Sequence, residues 1–163
     1  MTTGKQHHLR SAQSIKAELL AVLEGMDYCL DWKGDTAEWS ARELVYHVLD
    51  TPPGGVHSLV KGVLSGELRE YDLWSDLTNM TPERAGYDLA QVTADIESFF
   101  QGLEDALSGA SDEELETKTV MIHQKTRGDD EERTPNAILE RTLNGHIREH
   151  LIQLQELREA LAI

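Results

Sequence analysis

The sequence predicts an all-α protein, and more specifically a four-helix bundle. Residues with high helix propensity, such as Leu, Ala, Glu and Gln, are abundant, whereas aromatic residues make up only 6% of the 163-residue chain. Four segments repeat apolar residues at intervals of three and four, which is typical of one buried helical face. Long connections separate some of these segments, as in bundles that contain a crossover.

The first two predicted helices lie in the N-terminal half. The first covers about residues 9–30, with an apolar stripe of Ile15, Leu19, Val22, Met26 and Leu30. The second begins at Ser40, because Ser40 and Glu43 have the spacing of a capping box. A Pro-Pro-Gly-Gly run at positions 52–55 must interrupt it, since proline lacks the backbone donor and clashes with the preceding turn. The helix is expected to resume at residues 56–64.

The other two predicted helices follow a crossover of residues 67–80. The third begins at Thr81, with a capping threonine and a first-turn proline. Its apolar stripe consists of Leu89, Val92, Ile96, Phe99, Leu103 and Leu107. Residues 110–133 are predicted to be an irregular loop with a short extended piece at 119–122. A second Thr-Pro pair at 134–135 starts the fourth helix, which continues to the end.

Composition excludes several classes of function. A formal net charge of −15 repels phosphate backbones, so neither nucleic acid nor an anionic membrane is an expected partner. No segment has the length and apolarity of a membrane span, and the N-terminus lacks the apolar core of a signal sequence. The single cysteine, Cys29, allows no internal disulfide and is predicted to be a buried, unreactive thiol. We therefore expect one domain, residues 1–163, in the cytoplasm.

Two histidines interrupt the apolar stripe of the fourth helix. On a wheel of about 100° per residue, His146 and His150 fall in the middle of the buried face. Because a buried imidazole needs partners for both ring nitrogens, they are either hydrogen-bonded core residues or metal ligands. A spacing of four brings two imidazoles onto one ion. His47 lies on an apolar face of the second helix, and three imidazoles would leave coordination positions open.

The remaining histidines are not expected at this site. His57 should lie on a different side of its helix from His47. His7 and His8 in the terminal segment, and His123 in the irregular loop, are predicted to be solvated or locally hydrogen-bonded. Trp39 is interpreted as a packing residue, and no catalytic residue is assigned.

The chain resembles the DinB/YfiT-like metal-binding helical proteins in "WSARELVYHV" of the second helix and "HIREHLIQL" of the last. The resemblance implies a bundle whose helices run up-down-down-up, with a long connection between the second and third. It implies that one histidine of the second helix and a His-x-x-x-His pair of the fourth hold a divalent metal ion. By position these ligands are His47, His146 and His150. Imidazole suits zinc, nickel, copper and iron alike, and zinc or nickel is the expected ion.

The same resemblance implies a metal-dependent enzyme. In characterised members, the ion holds a low-molecular-weight thiol for attack on a small electrophilic substrate. One alternative is a non-catalytic metal-binding or stress-related helical bundle that acts as a homodimer. Another is a structural interaction module whose histidines are hydrogen-bonded in the core. Stoichiometric metal separates the last from the first two, and only the enzyme consumes thiol.

Overall fold

The computed structural model describes residues 4–35 and 39–163. In these residues helices are combined with a three-stranded sheet, so the prediction of an all-α four-helix bundle is wrong. Helices still dominate, with 61% of the described residues against 9% in strands. The fold is therefore a mixed one, in which a small sheet accompanies the helices.

Within residues 4–35 and 39–163, six helices precede the sheet hairpin and one long helix follows it. The first six are α1 (Lys5–Leu23), α2 (Ala41–Leu49), α3 (Val56–Ser65), α4 (Pro82–Ala85), α5 (Leu89–Ser108) and α6 (Asp112–Thr117). The C-terminal helix consists of α7 (Pro135–Glu140), a π-helical segment (Arg141–Ile147) and α8 (Arg148–Leu161). The strands are β1 (Glu70–Leu73), β2 (Val120–Gln124) and β3 (Asp129–Arg133). None of the described helices is long and apolar enough to cross a membrane.

The helical core follows the predicted stripes. In α1 and the turn after it, every stripe residue from Ile15 to Leu30 is buried, and α1 packs against both α5 and α8. The capping box of Ser40 and Glu43 is present at the start of α2. The break at residues 52–55 is also confirmed, because α2 ends at Leu49 and α3 begins at Val56.

The start of the third long helix was predicted too early. Thr81 does cap a helix, since its side chain accepts from the backbone N–H of Arg84, but that helix is the four-residue α4. The long helix α5 begins at Leu89 instead, capped by Asp88, whose Oδ1 accepts from the backbone N–H of Gln91 at 2.9 Å. Aspartate is an effective cap at this position, and its carboxylate also favours the positive end of the helix dipole.

The sheet arises from the predicted crossover, residues 67–80, which contains β1, and from the predicted irregular loop, residues 110–133, which contains β2 and β3. β1 pairs in parallel with β2, with Tyr71 opposite Ile122, and β3 pairs antiparallel with β2, with Val120 opposite Arg133. The extended piece expected at 119–122 is thus part of a strand. The hairpin between β2 and β3 turns through Gly128, whose φ of +80° suits glycine.

The C-terminal helix differs from the predicted wheel in one respect that matters for the histidines. Its buried residues in the middle are Leu143, Ile147 and Leu151, whereas His146 and His150 are only partly buried. A π-helical turn holds more residues than an α-helical turn, so residues beyond it are rotated back around the axis. The two histidines therefore lie at the edge of the buried face, and the prediction that they occupy its middle is wrong.

Candidate metal centre

His47 is held rigidly in the last turn of α2, with 1% of its surface exposed. The C-terminal end of this short helix is tied down by the side chain of Asn79. Asn79 Nδ2 donates to the carbonyl oxygens of Tyr46 and His47, at 3.2 and 3.3 Å, and to Thr51 Oγ1 at 3.0 Å. Asn79 has a φ of +62°, in the left-handed region that asparagine tolerates better than most residues. The crossover segment is thereby fixed against the helix that carries His47.

His146 and His150 come from the C-terminal helix. His146 belongs to the π-helical segment and His150 to the first turn of α8. The helix is anchored at its start by Thr134, whose side chain accepts from the backbone N–H of Ala137, and along its length by the buried residues described above. π-Helical segments are found frequently at functional sites, and here the segment contains His146.

The three histidines converge. A ligand atom of each lies within 4.8 Å of those of the other two. The ring centroids are 4.8 Å apart for His47 and His146, and 4.7 Å apart for each pair that includes His150. His47 Nε2 and His146 Nε2 are separated by 2.8 Å. Nitrogens on one tetrahedral zinc ion lie about 3.3 Å apart, so this pair needs to separate by only about half an ångström to share an ion.

Hydrogen bonds fix which ring nitrogens face the cluster. His47 Nδ1 lies 2.5 Å from the carbonyl oxygen of Leu77, which can only accept, so Nδ1 carries the proton and Nε2 carries the lone pair. His150 Nδ1 likewise makes a hydrogen bond to Gln153 Oε1. Histidines that bind metals usually donate their other ring N–H to a carbonyl or carboxylate. The donor set therefore fits a divalent transition-metal ion.

The electrostatic environment favours neutral imidazoles. Burial lowers the pKa of His146 to about 3, and the neighbouring His150 and His47 act in the same direction. Burial also lowers the pKa of His47, although its hydrogen bond to Leu77 acts in the opposite direction. His47 and His146 are thus neutral at pH 7, which is the form of imidazole that binds a metal ion.

The sequence left open that these histidines are hydrogen-bonded core residues and not metal ligands. That alternative accounts for the positions of His47 and His146 only. The contact of 2.8 Å between His47 and His146 is a good N–H···N hydrogen bond if His146 carries its proton on Nε2. That bond gives no reason for the third imidazole, His150, to lie equally close to both rings. A shared ion explains the position of all three. The role of these residues as metal ligands stays a prediction.

Sequence reasoning missed three contributors to this cluster. The ring of Trp39 lies 4.6 Å from that of His47 and stacks near His150 at 6.1 Å, so it covers one side of the site. Gln153 follows His150 by three residues, and helical spacing would have indicated this contact. The Leu77 carbonyl belongs to the crossover segment, and no sequence feature marks it.

A second group of potential ligands was also missed. His7 and His8 lie in α1, and His8 is 0% exposed, so of the two predicted alternatives, solvated or locally hydrogen-bonded, the first is wrong for His8. His7 Nε2 contacts Glu140 Oε2 at 2.8 Å, and His8 Nε2 contacts Asn136 Oδ1 at 2.9 Å. His7, His8 and Glu140 have ligand atoms within 4.8 Å of one another. This group links the start of α1 to the C-terminal helix.

The remaining histidines and the cysteine lie outside both groups. His57 packs edge-on against Phe99, with ring centroids 5.2 Å apart. His123 lies on β2 rather than in a loop, and it is hydrogen-bonded to Asp130 and Glu70. Cys29 is buried, and burial raises the pKa of its thiol, so it is not a thiolate at neutral pH.

Comparisons with known proteins inform the fold and not the function. No protein-family model and no curated protein matches the chain. The crystal structure of an uncharacterized protein from Clostridium difficile 630 is similar to it, with a TM-score of 0.66 over 98% of each chain and 11% sequence identity. At that identity the similarity shows that the fold recurs in another protein and no more. Membership of the DinB family stays a prediction.

Proposed function

We propose that this protein is a metal-dependent enzyme of the DinB-like type that transfers a small thiol to an electrophilic substrate. In this proposal His47, His146 and His150 hold one divalent ion, zinc or nickel. The observation that carries it is the convergence of three imidazoles from two separate helices on one point. The sequence resemblance in the second and last helices supports the same assignment.

Neighbouring residues orient the histidines and cover one side of the cluster. The Leu77 carbonyl and Gln153 accept from the Nδ1 atoms of His47 and His150, which leaves the opposite nitrogens as ligands. Trp39 covers the rings of both residues on one side. When bound, a divalent ion with three imidazole ligands supplies Lewis-acid chemistry, because it lowers the pKa of a thiol in its open position.

The sulfur is proposed to come from an external thiol. Cys29 is the chain's one cysteine. Burial raises the pKa of its thiol, and the negative charge of Asp27 raises it further. Its Sγ lies 3.6 Å from the carbonyl oxygen of Met26, to which it donates. A buried and protonated thiol is a poor nucleophile, so a small cofactor thiol is required.

Elemental analysis tests the metal site directly. Protein purified without an affinity tag, incubated with zinc or nickel and then dialysed, is expected to retain about one ion per chain. His146→Ala and His150→Ala are expected to retain none. His123→Ala is the matched control, because it removes an imidazole from the sheet and should leave metal content unchanged. Wild-type protein that is folded by circular dichroism but stays metal-free would contradict the proposal.

A thiol-consumption assay then tests catalysis. Metal-loaded protein is mixed with small thiols and an activated aryl halide, and the loss of free thiol is followed against buffer. Consumption above the buffer rate, lost in His150→Ala, is the expected result. Metal binding without consumption for any thiol would favour the non-catalytic, homodimeric alternative, which size-exclusion chromatography with light scattering would examine.

A further inference from the structure

A cleft lies beside the metal centre, between the sheet and the C-terminal helix. Its volume is about 300 Å³, at the lower end of the range for small-molecule sites, and His146 is one of its lining residues. Three arginines, Arg127, Arg133 and Arg141, also line it. In a chain with a formal net charge of −15, three arginines around one small cleft require an explanation.

The strand pairing explains how the arginines reach this cleft. Arg133 on β3 pairs with Val120 of β2, whose alternate residues are buried, so its side chain lies on the inner face of the sheet. Only 10% of the Arg133 side chain is exposed. Arg127 belongs to the hairpin turn and Arg141 to the π-helical segment, so three different elements bring positive charge to the same place.

Nearby carboxylates balance part of this charge. Glu131 accepts from Arg133 Nη2 at 2.8 Å and contacts both terminal nitrogens of Arg141, at 3.1 and 3.2 Å. Asp129 lies 3.8 Å from Arg127 Nε. Among the described residues, the ion pairs of these three guanidinium groups involve two carboxylates, so the paired groups together carry an excess of one positive charge.

Arg133 has donor capacity that the described residues do not use. With its amide oxygen facing the guanidinium groups, the buried Gln124 accepts from Arg133 Nη2 at 2.8 Å and from Arg127 Nη2 at 3.1 Å. The hydrogen bonds of Arg133 to described residues thus all involve Nη2. Its Nε is buried and has no partner among them. Because a buried donor without an acceptor is unfavourable, an acceptor from outside the chain is expected here.

We propose that this arginine cleft binds the carboxylate group of a small substrate and so holds that substrate beside His146. A carboxylate accepts charge-assisted hydrogen bonds from guanidinium N–H groups, and Arg133 Nε has no other acceptor among the described residues. The single unbalanced positive charge matches a carboxylate better than a phosphate dianion, and the small volume excludes a large ligand. The proposal rests on the proposed function for the reaction at the metal, whereas binding of the carboxylate itself does not require the ion.

The test measures the binding of benzoate, as a planar monocarboxylate, by isothermal titration calorimetry. Benzamide, which has the same ring without the charge, and inorganic phosphate are the comparison ligands. Benzoate should bind more tightly than either. Arg133→Gln should weaken benzoate binding by at least about tenfold, because a charged hydrogen-bonding partner is lost. Arg69→Gln, the same charge change away from this cleft, should leave the dissociation constant unchanged.

Further variants separate the possible causes of failure. Since Arg133→Gln removes a buried side chain and can unfold the protein, Arg141→Gln at the more exposed end of the cleft should give a smaller loss of about threefold in a folded protein. His150→Ala should lose metal but retain benzoate binding, so failure of the metal site and of the carboxylate site are distinguishable. Absence of benzoate binding, equal binding of benzamide, tighter binding of phosphate, or full binding by folded Arg133→Gln would overturn the proposal.

Discussion

The two groups of potential ligands, each of which joins the C-terminal helix to another helix, differ in how their ring nitrogens are used. In the metal centre, His47 and His150 direct Nδ1 outward to Leu77 and Gln153, and the histidines face one another. In the group of His7, His8 and Glu140, Nε2 of each histidine already contacts a side-chain oxygen of α7. From this difference we expect an ion site in the first group and a hydrogen-bonded link between helices in the second, although the ligand atoms are similarly close in both.

The charge on the acidic member supports this distinction. Burial raises the pKa of Glu140, but hydrogen bonds from His7 and Asn144 outweigh that effect and hold the pKa below its usual value. The carboxylate is therefore already stabilised as an anion by protein donors. Near it, the backbone N–H of Lys5 donates to Asp112 Oδ1 at 2.8 Å, which ties the same end of α1 to α6. We expect this second group to contribute to folding rather than to bind metal.

The largest expected effect is on zinc affinity, measured by competition with a chromophoric chelator. His150→Ala should weaken zinc binding by at least about 100-fold, because one of three ligands is removed. His7→Ala, the matched change in the second group, should alter the affinity by less than about twofold. Comparable losses in the two variants would show that the groups cannot be told apart by their hydrogen bonds.

The next largest effect is on the free energy of unfolding. Here the group of His7, His8 and Glu140 should show the larger loss and the metal centre the smaller one. His8→Ala removes a fully buried imidazole that contacts Asn136, and should lower the free energy of unfolding by about 2 kcal/mol. His150→Ala in metal-free protein should cost less than about 1 kcal/mol, since that ring is only partly buried. Urea denaturation of both variants in the presence of a chelator provides the measurement. A larger loss for His150→Ala would reverse the assignment of the two groups.

A smaller effect on zinc affinity is expected from the residue that orients a ligand. Gln153→Ala removes the acceptor for His150 Nδ1, and should weaken zinc binding by about tenfold. Gln155→Ala changes an exposed glutamine on the same helix and serves as the control. If both variants bind zinc as the wild type does, the outward hydrogen bond does not define the metal centre.

The sequence predicted those parts of the fold that depend on local pattern. The stripes of α1 and α5 and the cap at Ser40 are set by residues within a few turns of one another. The sheet depends on pairing between distant segments, as of Tyr71 with Ile122. Its third strand, Asp129–Arg133, has the sequence DDEER, which has low strand propensity and reads as a solvated loop.

Local sequence pattern was equally limited in predicting the histidine cluster. Helical periodicity was sufficient to bring His146 and His150 to one side of a helix and to propose His47 as a third member. It could not include the π-helical segment, which moved the pair from the middle to the edge of the buried face. It also could not find the Leu77 carbonyl, because a backbone acceptor in a connecting segment has no sequence signature.

The smallest expected effect is a pH dependence of stability that arises from His123. Its contacts with Asp130 and Glu70 are exposed, whereas the His7–Glu140 contact is partly buried. Hydrogen bonding to Asp130, and also to Glu70, raises the pKa of His123 in the folded state. The charged imidazole is thus favoured by folding, so its contribution is complete below the unfolded pKa of about 6.5 and is lost as pH rises through the folded pKa. His123→Asn should therefore lower the melting temperature relative to wild type at pH 5.5 and have little effect at pH 9. If the melting temperatures of His123→Asn and wild type differ by the same amount at both pH values, His123 acts through packing and not through its charge. The His123 contact would then not serve as an exposed comparison for the His7–Glu140 contact.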